Sequence, residues 1–166
     1  MYEKDVFPEP YAYNFGNQLV KVPGLDGSGK MGKSEGEGNA IFLADSPEVI
    51  RKKVMRAVTD SGPTELGQAK PESISNLFQL MNLVSSADTI AFFEERWNAC
   101  DIRYGDMKKQ LAEDMILFTN PLRERITEIE KDDDLLNRVI RQGAEKARES
   151  ASKTLHEVRT VIGLNR

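Results

Sequence analysis

The sequence predicts a mainly α fold preceded by a loop-rich, extended segment, and three observations carry that expectation. Seven of the twelve glycines fall in residues 1–45, together with Pro8, Pro10 and Pro23, and glycine and proline at that density punctuate loops and turns. From Ser46 onward apolar residues recur three and four apart, the spacing that lines one face of a helix. Residues able to cap a helix N-terminus stand just ahead of these apolar runs, at Ser46, Ser86 and Asp132.

Ser46-Pro47-Glu48 supplies a capping hydroxyl, a proline at the first helical position and an acid in the first turn. Ile50, Val54, Ala57 and Val58 form the inward stripe of this first helix. Arg51, Lys52, Lys53 and Arg56 are expected outward against a lone acid, Glu48. Either of two roles fits that basic face: contact with a nucleic-acid backbone, or plain solvation. A second helix is predicted from about Pro71 to Val84, with Ile74, Leu77, Phe78, Met81 and Val84 inward. Ser86 caps a third that contains Ile90, Phe93 and Trp97; Trp97 and the Phe92-Phe93 pair read as core. The fourth runs from about Gly105 to Ile129 with Leu111, Met115 and Phe118 inward, and Pro121 predicts a kink or a break in it. Asp132-Asp133-Asp134 opens a last helical stretch, led by Leu136, Val139 and Ile140 and continued through Ala144, Ala147, Ala151, Thr154, Leu155, Val158 and Ile162. Capping explains the three aspartates without a metal. Gly143 is a candidate divider and Gly163 a candidate stop. The small residues of 143–152 predict close approach of another helix.

Composition narrows the function classes. The chain has 166 residues, enough for one domain with a core, but short for a complete two-substrate enzyme with its own nucleotide fold. A net charge of −4 disfavours a strongly basic nucleic-acid module while leaving room for a local basic face. Residues 121–166 hold ten basic and nine acidic side chains, which is no electrostatic funnel; Arg138, Arg141, Lys146, Arg148 and Lys153 are nucleic-acid contacts or ordinary surface charge. The one cysteine, Cys100, excludes an internal disulfide and a cysteine metal cluster, and reads as a buried or inert thiol suited to a reducing, cytoplasmic setting. The one histidine, His156, reads as a surface residue and excludes a multi-histidine metal site. No apolar run is long enough to span a membrane, and the N-terminal MYEKDVFPEP is not a secretory signal.

One segment carries chemistry. Residues 27–34, GSGKMGKS, match the phosphate-loop pattern G-x-x-x-x-G-K-[ST], and Ile41-Phe42-Leu43-Ala44-Asp45 mimics the acid-ending strand that accompanies it. The surroundings speak against a P-loop nucleotidase. Such a loop must feed directly into a helix whose N-terminus binds phosphate. Here Ser34 is followed by Glu35-Gly36-Glu37-Gly38-Asn39, which makes a poor first turn and sets acids beside the phosphates. The acid-ending segment also follows too closely for a parallel crossover.

The alternative unit is Lys30-Met31-Gly32-Lys33-Ser34. Two lysines three apart on a glycine-flanked loop reach one polyphosphate. When a carboxylate attacks the α-phosphorus of ATP, charge grows on the departing pyrophosphate, and ammonium groups placed there lower the barrier. Lysine suits the task as a compact charge on a flexible stem, and the glycines let the loop open and close. A solvated basic loop between two elements is the other reading of these five residues.

KMGKS resembles the KMSKS motif of class I aminoacyl-tRNA synthetases, and the chain beyond it is similar to the bacterial tryptophanyl branch. The residues carrying the likeness are Ala40–Asp45, Arg56–Ser61, Ile74–Leu77, Tyr104–Glu113, Gly143–Arg148, Ala151–Leu155 and Val161–Leu164. It covers about residues 20–166. The tyrosyl branch shares the loop, but the sequence beyond Asp45 is closer to the tryptophanyl one. The resemblance implies a helical C-terminal region of a class I synthetase attached to the terminal strand and loop part of a Rossmann-type catalytic domain. It divides the chain into residues 1–45, the catalytic-domain tail, and residues 46–166, a helical domain on the tRNA and anticodon side. It implies activation of L-tryptophan with ATP and Mg²⁺, transfer to the cognate tRNA, and a homodimer for the full-length enzyme. Lys30 and Lys33 become the catalytic cations. Lys30, Met31, Gly32, Lys33 and Ser34 become the ATP-binding loop, Met31 packing it and Gly32 standing where the family has serine. No protein ligand for the metal is implied. A HIGH-type motif is absent from these residues, so the resemblance implies a C-terminal part that is inactive alone. A non-catalytic helical tRNA-binding module is the third reading beside the P-loop nucleotidase.

Overall fold

The computed structural model describes residues 5–13, 21–27, 29–32, 34 and 36–164. These described residues form five helices: α1 (Pro47–Met55), α2 (Glu72–Val84), α3 (Ala87–Asn98), α4 (Tyr104–Glu130) and α5 (Asp133–Val161). The mainly α architecture is the one the sequence predicts. Among the described residues no strand occurs, so the strand expected in the N-terminal segment is not found there. The described backbone of 22–40 instead pairs across its own loop and onto the end of α1, which satisfies groups that a strand would direct to a neighbour.

The starts follow the local signals. Ser46 Oγ accepts from Val49 N–H at 3.4 Å and Ser86 Oγ from Thr89 N–H at 3.2 Å, while Asp132 Oδ1 accepts from Leu135 N–H at 2.8 Å. Gly163 ends α5 in the left-handed region (φ 75°), with Leu164 N–H donating to Arg159 O and Gly163 N–H to Thr160 O, the paired bonds of a Schellman cap.

Contacts divide the chain into two compact units: residues 20–126, and residues 1–19 with 127–166. The first contains one apolar core. Ile50 and Val54 of α1 meet Ile74, Leu77, Leu80 and Met81 of α2, Phe93 and Trp97 of α3, and Met107, Leu111 and Met115 of α4. Trp97 is fully buried, and its indole N–H donates to Gln68 O at 2.7 Å, so the ring fills the core without stranding its polar end. Within the second unit α5 buries no residue.

Several expectations are corrected. α1 ends at Met55, so Val58 lies beyond it and is 47% exposed rather than part of the stripe. The buried face of α4 runs through Met107, Lys108, Leu111, Ala112, Met115, Ile116 and Thr119; Phe118 stands at its edge and is exposed. Phe92 also faces outward, set edge-on to buried Phe93 and covered by Arg96. α4 continues through Pro121 without a break. The carbonyl whose helical partner the proline removes belongs to Leu117, an exposed residue. α5 is undivided at Gly143, and a Cβ there would meet nothing within 4 Å. Cys100 is exposed, in a left-handed turn (φ 57°) just past α3, a place that lies outside the packed face.

Candidate functional site

The candidate site is built on the base of the 27–38 loop. Its two arms, Val22–Asp26 and Gly36–Ile41, lie side by side and are joined by Asn39. Leu25 N–H donates to Asn39 O at 3.1 Å, and Asp26 N–H donates to Asn39 Oδ1 at 3.0 Å. Asn39 is buried, and its Nδ2 has no hydrogen-bond partner among the described residues. The arms approach so closely at this point that a Cβ on Gly24 would lie 2.3 Å from Asn39 Oδ1. Glycine is therefore required there by contact. Gly27, at φ 80°, is required by its backbone angle.

α1 seats both arms. Val58 N–H, just past its end, donates to Leu25 O at 3.0 Å in the first arm. Lys53 Nζ donates to Ala40 O at 2.9 Å in the second. The same ammonium pairs with Asp45 at 2.7 Å and lies 4.6 Å above the Phe42 ring. Asp45 also accepts from Phe42 N–H at 2.9 Å. Lys53 is therefore half-buried in a cage rather than pointing into solvent, which corrects the expected outward face at that position. Arg51 is exposed, yet reaches α4, where its guanidinium forks onto Glu113 at 2.7 and 3.0 Å. That hydrogen-bonded pair raises the Arg51 pKa and lowers that of Glu113 below its ordinary 4.5.

The loop itself alternates. Lys30 and Ser34 are exposed, and Met31 turns inward against the core beside Val22 and Ile41. Met31 N–H donates to Val22 O at 2.9 Å, tying the loop back to its own base. Gly32 is half-buried. Lys33 lies outside the described residues. An apolar groove opens beside Met31, lined by Val22, Ile41, Leu80, Val84 and Phe118. Arg138, Arg141, Lys146, Arg148 and Lys153 all stand exposed on α5, and Lys153 pairs with Glu149 at 2.7 Å.

This geometry argues against a P-loop nucleotidase. A P-loop needs a helix immediately after its Ser or Thr, and the first α-helix here begins at Pro47. The acid-ending segment is no strand, and the Asp45 carboxylate is held by Lys53. Sequence reasoning missed Asn39, the Lys53–Asp45 pair and Lys108. Lys108 is buried on α4 and donates to Ala57 O at 2.7 Å and Thr59 Oγ1 at 3.2 Å. Burial pushes its ammonium below the ordinary lysine range. The available signal was position: Asn39 sits five residues past the motif, and Lys108 lies on the apolar stripe of α4.

Comparison with known proteins adds an independent line. The family model described as tRNA synthetases class I (W and Y) matches residues 2–120. A tryptophan–tRNA ligase of Porphyromonas gingivalis is 57% identical over 163 residues, which are 98% of this chain and 49% of that relative. One from Helicobacter pylori is 40% identical over 159 residues, 95% of this chain and 46% of the relative. The chain thus spans about half the length of the curated relatives it matches. Among solved structures, tryptophanyl-tRNA synthetase from Campylobacter jejuni complexed with ADP and tryptophan superposes with a TM-score of 0.69 at 27% identity, over 90% of this chain and 45% of that one. Tyrosyl-tRNA synthetase from Aeropyrum pernix shares the fold, with a TM-score of 0.53 at 20% identity over 70% of this chain and 37% of that one.

Proposed function

The chain belongs to the class I tRNA synthetases of the W and Y family, and we propose that it is the C-terminal half of a tryptophan–tRNA ligase, carrying the loop that handles the ATP phosphates. The parent reaction joins L-tryptophan to ATP as tryptophanyl-adenylate, releases pyrophosphate, and passes the amino acid to its cognate tRNA. The observation that carries the reading is the KMGKS loop, seated at both arms on α1, in a chain 57% identical to a tryptophan–tRNA ligase.

In this reading Lys30 and Lys33 neutralise the charge that grows on departing pyrophosphate, and Ser34 hydrogen-bonds a phosphate oxygen. Met31 holds the loop to the core, and Gly32 gives it backbone freedom where the family has a serine. We assign Mg²⁺ to the ATP phosphates, where it would share the neutralisation with the two lysines. Residues 1–45 serve as the tail of the catalytic domain and residues 46–166 as the helical, tRNA-facing domain. The basic residues of α5 are the candidates for anticodon-side contact. We place the parent enzyme in the cytoplasm as a homodimer.

The test is tryptophan-dependent ATP–pyrophosphate exchange by this chain alone and by the chain fused to the N-terminal half of the Porphyromonas gingivalis relative. The expected result is exchange by the fusion and none by the chain alone. Exchange by neither would sink the proposal. ATP hydrolysis by the chain alone, independent of tryptophan, would restore the P-loop reading. tRNA binding without exchange in the fusion would leave a non-catalytic tRNA-binding module. In the active fusion, Lys33→Ala should lower kcat at least tenfold with a smaller rise in the KM for ATP, since the cation acts on charge that appears in the transition state. An unchanged kcat rejects that role.

A further inference from the structure

We infer that Lys108 is a positioning residue for the phosphate loop, acting from α4 through a relay of hydrogen bonds that ends at Asn39. The functional part of this inference rests on the reading proposed above; the relay itself does not.

The relay passes through two peptide planes. Lys108 Nζ donates to the carbonyl of Ala57 at 2.7 Å. The N–H of that same peptide group belongs to Val58, and it donates to Leu25 O at 3.0 Å. The Leu25 carbonyl in turn shares its peptide group with Asp26 N–H, which donates to Asn39 Oδ1 at 3.0 Å. Each peptide unit is planar, so fixing its carbonyl fixes the direction of its N–H. Each carbonyl that accepts a bond also polarises the N–H on its far side, so consecutive bonds strengthen one another. Lys108 therefore sets the orientation of a plane two bonds away from the place where the loop's arms are joined.

The choice of residue supports a role beyond packing. Lys108 is only 9% exposed, and among the described residues its ammonium bonds the Ala57 carbonyl and the Thr59 hydroxyl, with burial and no charged partner acting on it. Burying a cation without a counter-charge is unfavourable, whereas a methionine would fill the same path with none of that cost. What meets the ammonium is a pair of oxygens just past the end of α1, the Ala57 carbonyl and the Thr59 hydroxyl. A cation fixed there holds the turn that the loop is seated on. Lys53 holds the other arm from the same helix through Ala40 O, so α1 is the common platform and Lys108 is its tie to α4.

The first arm of the test uses this chain and reads amide hydrogen exchange at Val58 and Asp26 in the wild type, Lys108→Met and Lys108→Arg. The expected result is exchange at least tenfold faster at both amides in Lys108→Met, partial recovery in Lys108→Arg, and unchanged protection at Leu80 and Trp97. Unchanged exchange at Val58 and Asp26 overturns the relay. Should Lys108→Met fail to fold, Asn39→Ala cuts the relay at its other end. Faster exchange at Val58 then supports the relay, and no change there overturns it. The second arm uses the fusion enzyme, with kcat expressed per active site counted by burst titration, so that unfolded molecules drop out. Lys108→Met should lower that kcat about tenfold, the order of loss that small misplacements of reacting groups produce, and leave the KM for tryptophan within twofold. A kcat per site equal to the wild type overturns the positioning role. If the wild-type fusion has no exchange activity, the functional reading fails, and the exchange data still decide the relay.

Discussion

α4 and α5 are close in length, 27 and 29 residues, and differ in what they do with their apolar faces. α4 buries seven residues, Lys108 and Thr119 among them, and its contacts tie α1 and the loop base to the core. α5 is the more strongly segregated helix by sequence, yet none of its residues is buried, and Val139, Ile140 and Leu155 are about half exposed or more. Amphipathic spacing therefore states that a helix has a side that favours a partner. Whether this chain supplies the partner is a separate matter, settled by what folds around it. The core around α4 draws on residues of α1, α2 and α3; α5, described in its own unit, buries no residue.

The sharpest way to break that contrast is to truncate one core residue on α4. Leu111 is fully buried, so Leu111→Ala should lower unfolding stability by about 3 kcal/mol, from lost transfer energy and the cavity left behind; urea denaturation followed by circular dichroism reads it. A loss under about 1 kcal/mol would mean that the α4 face is no better packed than α5. Next in size is Gly24→Ala. The added methyl meets the Asn39 amide, and overpacking of this kind costs about 1–3 kcal/mol. The damage should be confined to the loop base, seen as faster exchange at Leu25 and Asp26 with α2 and α3 unaffected.

A smaller effect tests the tie between α1 and α4. The folded-state pKa of Glu113 is lowered by Arg51. The stability this pair contributes is present above the ordinary value of 4.5 and is lost as pH falls through the lowered folded value. Glu113→Gln should therefore lower the neutral-pH plateau slightly and flatten that part of the acid-denaturation curve, the two proteins converging at low pH. An identical acid slope in the two proteins would show the pair to be energetically idle, as exposed pairs often are. The smallest expected change is on α5: Ile140 is 64% exposed, so Ile140→Ala should shift stability by no more than about 0.5 kcal/mol. A loss comparable to that of Leu111→Ala would erase the contrast and require a buried α5.

What could be read from the sequence was local. The caps at Ser46, Ser86 and Asp132 and the stop at Gly163 act through residues a few positions away, so their chemistry is visible in a short window. The motif lysines were visible for the same reason. The loop base was not. Asn39 bonds a residue 13 positions back, and Lys108 bonds one 51 positions back; the same letters would stand in the sequence if both side chains faced water. Lys53 shows the point most directly. Its neighbours Arg51, Lys52 and Arg56 are exposed as the basic run predicts, and only the rise of the second arm against α1 encloses the one between them.

Met31 has a thermodynamic consequence. Its side chain is partly covered by the core, and its N–H is committed to Val22 O. Any excursion that carries Lys30 away from the loop base must return that thioether to water, at about 1 kcal/mol for a partly buried methionine. That difference weights the seated loop over the lifted one by about fivefold before any phosphate arrives, a population bias small enough for a bound polyphosphate to reverse.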